Sequence, residues 1–192
     1  MLDLEQRVGW QVLVVRCQIG DRAAFEEIIA FCQPRLRAFL FRMLSGVDAQ
    51  QVEDVAQDVW VDVYRAVPRL ADPAAFVPWL YRIARNRAYR ALRSRAAPTA
   101  SIDDNTERVP AADEGEGSDE PQFTPEDAAA VHAALDRLAP PRREVLLLRF
   151  MQDLSYEQIA RVVGCPVGTV RSRIHLAKRE LREILRKAGH SS

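Results

Sequence analysis

The sequence predicts an all-α protein of two small helical domains joined by a flexible acidic linker, the C-terminal domain containing a helix-turn-helix. Three observations carry this. Apolar residues recur at three- and four-residue spacing and seldom alternate, which is helical periodicity. Hydrophobic residues make up 48% of the chain against 7% aromatics and only 8 glycines, enough apolar material for cores without the turn density of a strand protein. The segment 96–124 holds Pro98, Pro110, Pro121, Gly115 and Gly117 with few large apolar side chains, so nothing in it offsets the entropy of ordering. A length of 192 residues accommodates two small domains, with boundaries at 1–95, 96–124 and 125–192.

In chain order, Val8 to Ile19 forms a first helix, stopped by Gly20, which tolerates a left-handed backbone. Asp21 caps the next helix, whose apolar face is Phe25, Ile28, Ile29 and Cys32. Pro34 is expected to interrupt or kink it before Leu36, Phe39, Leu40 and Met43 continue the stripe. Ser45-Gly46 makes a turn. From Asp48 to Ala66, Val52, Val55, Val59, Val63 and Tyr64 face inward, while Glu53, Asp54, Gln57, Asp58 and Asp62 lie largely outside. Pro68, Asp72 and Pro73 form a loop before a helix from Phe76 to Arg95. Beyond the linker, Pro125 to Leu138 is helical, Pro140-Pro141 breaks it, and Arg143 to Phe150 forms another helix.

The formal net charge is zero, yet its distribution is uneven. Arg82, Arg85, Arg87, Arg90, Arg93 and Arg95 crowd one stretch with no acid among them. Arg171, Arg173, Lys178, Arg179, Arg182, Arg186 and Lys187 form a second basic cluster. The compensating acids, Asp103, Asp104, Glu107, Asp113, Glu114, Glu116, Asp119 and Glu120, lie between them. Local charge sets what each surface attracts, and two basic patches suit nucleic acid. The opening residues lack a basic-then-apolar leader, and no apolar run reaches the length of a membrane span. Cys17, Cys32 and Cys165 have no metal-ligand spacing and read as buried or incidental thiols in a reducing cytoplasm. His132, His175 and His190 show neither triad nor metal spacing, so no enzyme, metal or cofactor is expected.

The stretch Leu154 to Arg173 reads as helix, tight turn, helix. Ser155 and Gln158 make a capping box, Gly164 supplies the turn, and Pro166 suits the first position of the second helix. Ala160 permits close approach, and Val163, Val170 and Ile174 form the seam. The remaining face offers Thr169, Arg171, Ser172, Arg173 and His175, donors for phosphates and base edges in a major groove.

Asp153 to Arg173, with Ala134-Leu135-Asp136-Arg137-Leu138 upstream, resembles region 4 of the extracytoplasmic-function sigma factors of bacterial RNA polymerase. Gly20 to Phe25, Glu53 to Trp60 and Trp79 to Asn86 resemble region 2 of the same family. The resemblance covers about Val8 to Leu185 apart from the linker. It implies a factor that directs core polymerase to promoters and helps open them, with a stress or envelope-signal regulon.

By this resemblance, Glu53, Asp54, Gln57 and Asp58 dock on the β′ clamp helices of core RNA polymerase, with a further contact to the β flap. Trp79, Tyr81, Arg82, Arg85, Asn86 and Arg93 belong to the minus-ten surface, which captures unstacked bases and their backbone. Thr169, Arg171, Ser172, Arg173, His175, Lys178 and Arg179 belong to the minus-thirty-five surface of promoter DNA. Each assignment has a plainer alternative. The acids form a solvated helix face, Phe76, Trp79 and Tyr81 pack a core, and some cations pair with Glu180 and Glu183 along their helix. Leu70-Ala71 stands where the family often has an aromatic followed by a base. The acidic linker is either a spacer or a nucleic-acid mimic in the RNA path. The family also implies an anti-sigma partner and a cytoplasmic location, held near the membrane where that partner is membrane-bound. A regulator that binds DNA alone explains only the C-terminal half.

Overall fold

The computed structural model describes residues 4–95 and 125–188; the acidic segment 96–124, where the linker is expected, lies outside them. All regular structure among the described residues is helical. Helix α1 (Leu4–Gln18) ends at Gly20, whose φ of 88° is the left-handed stop that its missing Cβ permits. Asp21 then accepts from the Ala24 amide at 3.1 Å and from Arg16 Nε at 2.8 Å. One carboxylate thus caps α2 and ties α1 to it.

Helix α2 (Arg22–Met43) continues through Pro34, so of the two expectations for that proline the interruption is corrected. A proline inside a helix costs about 3 kcal/mol. The stripe Ile28, Cys32, Leu36, Phe39, Leu40 and Met43 is buried on both sides of it, and each such side chain contributes about 1.5–3 kcal/mol. Core burial wins over the local penalty.

Asp48 caps α3 (Ala49–Ala66) by accepting from the Gln51 amide at 2.8 Å. Val52, Ala56, Val59, Trp60 and Val63 are buried. Tyr64, expected on the inward face, is instead 63% exposed, its ring lying edge-on to Phe25 at 5.2 Å on the outside of the stripe. Two short 3₁₀ turns, Val67–Arg69 and Pro73–Ala75, lead into α4 (Phe76–Arg95). Phe76, Leu80, Ala84 and Ala88 of α4 are buried, a four-residue repeat that seats one face on α2 and α3.

The second unit begins with α5 (Pro125–Arg137) and α6 (Pro140–Leu146). The proline pair ends the approach from α5, as expected, but it also opens α6, three residues before the predicted start at Arg143. Prolines at first-turn positions lose no hydrogen bond. The chain widens into a π turn over Leu147–Met151 before α7 (Tyr156–Val163) and α8 (Val167–Lys187). Ser155 and Gln158 form the reciprocal capping box, and Gly164 turns the chain at φ 74°. Pro166 stands one position earlier than predicted, as the residue before α8. Val163, Val170 and Ile174 are buried as the inter-helix seam.

The two units share one continuous apolar core. Helix α4 packs on α7, and α2 packs on the π turn.

Candidate nucleic-acid interface

Helix α4 buries its four-residue apolar stripe, so its other faces carry the arginines. Arg82, Asn86, Arg90 and Arg93 are exposed. Arg87 is held across to α3: Nε and Nη2 donate to Asp62 at 2.6 and 2.7 Å, and Nη1 donates to Asp58 at 2.9 Å. Arg85 is held by the second unit, its Nε donating to both Glu144 oxygens at 3.1 Å and its guanidinium lying 4.6 Å from the Tyr89 ring centroid. The cluster is acid-free along the chain but not in space. Arg95 lies beyond the side chains described here.

The aromatic members of the predicted minus-ten surface sit deeper. Trp79 is half-buried against Phe76, ring centroids 5.7 Å apart. Tyr81 is 3% exposed, edge-on to Phe39 at 5.2 Å, with its hydroxyl donating to Gln152. Burial pushes this phenol well above the ordinary tyrosine range. In this arrangement the Tyr81 ring has no face for a base.

The anionic face of α3 is only partly open. Asp54 and Gln57 are exposed, with Gln50 donating to Asp54 at 3.1 Å. Glu53 is half-buried and paired with Arg37 at 2.9 Å, and Asp58 shares Arg87 with Asp62.

The hydrogen bond from Arg87 holds the Asp62 carboxyl below its ordinary value of 3.8. A depressed folded-state value stabilises the fold fully above that ordinary value and fades as pH falls through the folded one. The stability advantage of the native protein over Asp62→Asn is therefore expected to hold at neutral pH and shrink below about pH 4. Urea unfolding at pH 7 and pH 3 checks this; an equal advantage at both would exclude the pair as its source.

The C-terminal cations follow the helix-turn-helix. Arg171, His175, Lys178 and Arg179 of α8 are exposed, whereas Thr169, Ser172 and Arg173 are half-buried. Ser172 Oγ donates to the Thr169 carbonyl at 3.0 Å. Arg171 lies 5.9 Å from the Tyr156 ring and Lys178 5.2 Å from that of Phe150. Glu180 of α8 pairs across to Arg142 of α6 at 2.6 Å. The exposed cations project outward from a rigid seam, the arrangement a duplex backbone requires.

Residues 28–97 match the family Sigma-70 region 2, and residues 128–181 match Sigma-70, region 4. The sigma-H factor of Pseudomonas aeruginosa is 38% identical over 188 residues, spanning 93% of this chain and 96% of that protein. The ECF sigma-E factor of Escherichia coli K12 is 34% identical over 181 residues, spanning 91% and 93%. The chain belongs to the extracytoplasmic-function sigma factors. As such it directs RNA polymerase to promoters and starts transcription, a non-catalytic role in its family.

Among solved structures, this sigma factor is similar to the sigma factor RpoE in complex with the anti-sigma factor NepR from Bartonella quintana. Identity there is 26% and the TM-score 0.62, covering 84% of this chain and 96% of that one. CnrH, solved with the cytosolic domain of CnrY, shares the fold at TM-score 0.69 and 24% identity over 93% and 97%. No helix among the described residues is long and apolar enough to cross a membrane.

Sequence reasoning missed Arg143, Glu144 and Gln152, all buried. Their one signal was placement: adjacent opposite charges heading the apolar run Val145 to Leu148, and a polar residue just past it.

Proposed function

We propose that the sigma factor divides its work among three surfaces. Glu53, Asp54, Gln57 and Asp58 on α3 meet the β′ clamp helices of core polymerase, and region 4 meets the β flap. The minus-ten element is held by α4, with Arg82, Asn86 and Arg93 on the strand, Arg85 joining when free of Glu144, and Trp79 and Tyr81 shaping the surface from beneath. Thr169, Arg171, Ser172, Arg173, His175, Lys178 and Arg179 hold the minus-thirty-five element. Residues 1–95 act as region 2, 96–124 as linker and 125–192 as region 4.

One observation carries this reading: two separate cationic helices and a partly open anionic helix face occur on one family-matched chain. An anti-sigma partner, a cytoplasmic setting and a stress or envelope-signal regulon complete the reading; the similar RpoE is solved with an anti-sigma factor, NepR.

The test is run-off transcription with purified core polymerase at promoters mapped after overproduction. Asp54→Ala/Gln57→Ala is expected to weaken core binding about tenfold, while Arg171→Ala leaves core binding intact and costs about 1–3 kcal/mol at the promoter. Equal core affinity in the α3 double variant would remove the clamp assignment.

A further inference from the structure

We infer that the structure is a self-closed state in which region 4 covers the α4 face, with Glu144 of α6 as a latch on Arg85. The inference rests on the reading of α4 as the minus-ten surface.

Glu144 is the only side chain of the pair with no solvent contact: it is 0% exposed, while Arg85 retains 21%. A carboxylate buried this completely costs free energy unless cations and donors surround it. Here they do. Arg85 Nε bridges both oxygens at 3.1 Å, and Arg173 of α8 adds attraction. Tyr89 of α4 packs beside the carboxylate, its hydroxyl buried without an aligned hydrogen bond. A guanidinium fork binds carboxylate and phosphate through the same donors. While Arg85 faces Glu144, Nε is unavailable to a DNA strand.

Three further links cross between the units. Tyr81 donates to Gln152 in a buried bond, Gln152 Nε2 reaches the Arg35 carbonyl at 3.5 Å, and Arg143 Nη1 donates to the Arg42 carbonyl at 3.0 Å. They belong to α4, α2, α6 and the residue that follows the π turn, so the closure is a packed interface and not one contact.

Promoter geometry makes the closure incompatible with simultaneous reading. Elements centred near minus ten and minus thirty-five lie roughly 25 base pairs apart, on the order of 80 Å at about 3.4 Å per pair. In the structure α4 and α8 send Arg85 and Arg173 toward the same carboxylate. Engagement of both elements requires the units to part, and the latch sets the free-energy cost of parting. A binding-competent state that is a minor fraction of the free chain weakens apparent affinity by that fraction.

The test uses the full chain in four variants and three readouts. Small-angle X-ray scattering should show the native protein compact and both Glu144→Arg and Arg85→Glu expanded. The charge swap Arg85→Glu/Glu144→Arg should be compact again. Gln152→Ala, which strands the Tyr81 hydroxyl, should expand the chain without changing any charge. Thermal unfolding separates expansion from misfolding: each variant should keep a cooperative transition. In transcription with limiting sigma factor, Glu144→Arg leaves α4 intact and should raise apparent affinity for core polymerase about tenfold.

A native chain already as expanded as Glu144→Arg, or a charge swap that stays expanded, overturns the latch. If the scattering pattern holds but Arg82→Ala/Arg93→Ala opens promoters normally, the closure stands and the minus-ten reading of α4 fails instead.

Discussion

Replacing Arg143 by alanine is expected to destabilise the protein by about 3 kcal/mol or more, since a charged donor set is removed from buried acceptors. The guanidinium is buried and satisfied entirely by backbone. Nε donates to the Leu135 carbonyl at 3.0 Å, Nη2 to those of Asp136 and Leu138 at 2.7 and 3.0 Å, and Nη1 to that of Arg42 at 3.0 Å. Leu135, Asp136 and Leu138 are the exit of α5, where helix carbonyls lack partners and the dipole is negative. Arg42 ends α2. One side chain thus caps two helices from different units. Burial lowers its pKa, and the charge of Asp136 opposes that.

Lysine is not expected to rescue. Its ammonium is a point donor on a flexible stem and cannot address four carbonyls arranged around a planar fork. At roughly 2–4 °C per kcal/mol for a protein of this size, both variants should melt on the order of 10 °C lower. Circular dichroism melts measure this. An alanine variant melting within about 2 °C of the native chain would mean that water replaces the fork without loss, contrary to the penalty for buried unpaired carbonyls.

The contrast between Arg143 and Ser155 shows what the sequence makes legible. Ser155 and Gln158 satisfy each other three residues apart, so the motif is complete within a reading window. The same holds for Asp21 with Ala24, Asp48 with Gln51, and the left-handed glycines at 20 and 164. Arg85 and Glu144 are separated by 59 positions, and no local rule pairs them. Periodicity could say only that Glu144 heads an apolar run. It could not say that a helix from the other unit supplies a cation there. Pro34 shows a different failure. The local penalty was judged correctly, but a long buried stripe on either side was not weighed against it.

The charge pattern was legible at one remove. Two basic segments separated by acids pointed to nucleic acid, and the family matches bear that out. Which arginines stand free could not be read, because occupancy is a property of the tertiary pairing. Arg87 lies in the same basic stretch as Arg82 and Arg93, yet two carboxylates of α3 hold it. A helix that looks uniformly cationic in sequence therefore presents a narrower, more discriminating face in the fold.

Truncation of Phe39 to alanine is expected to cost roughly 3–5 kcal/mol, the range for a buried aromatic that leaves a cavity. Phe39 is fully buried on α2 and meets Tyr81 of α4 edge-on, centroids 5.2 Å apart at 81°. Tyr81 in turn holds Gln152 of the second unit, so the ring supports both the core of region 2 and the contact with region 4. Phe39→Leu keeps most of the volume and should cost about 1.5 kcal/mol or less. Urea unfolding separates the two substitutions, and intrinsic fluorescence follows the N-terminal unit through Trp10, Trp60 and Trp79. If the cavity alone matters, filling it with leucine restores both stability and the compact scattering profile. If the edge-to-face geometry positions Tyr81, leucine restores stability but leaves the units parted. Equal unfolding midpoints for the alanine and leucine variants would show that Phe39 is not the packing centre its burial implies.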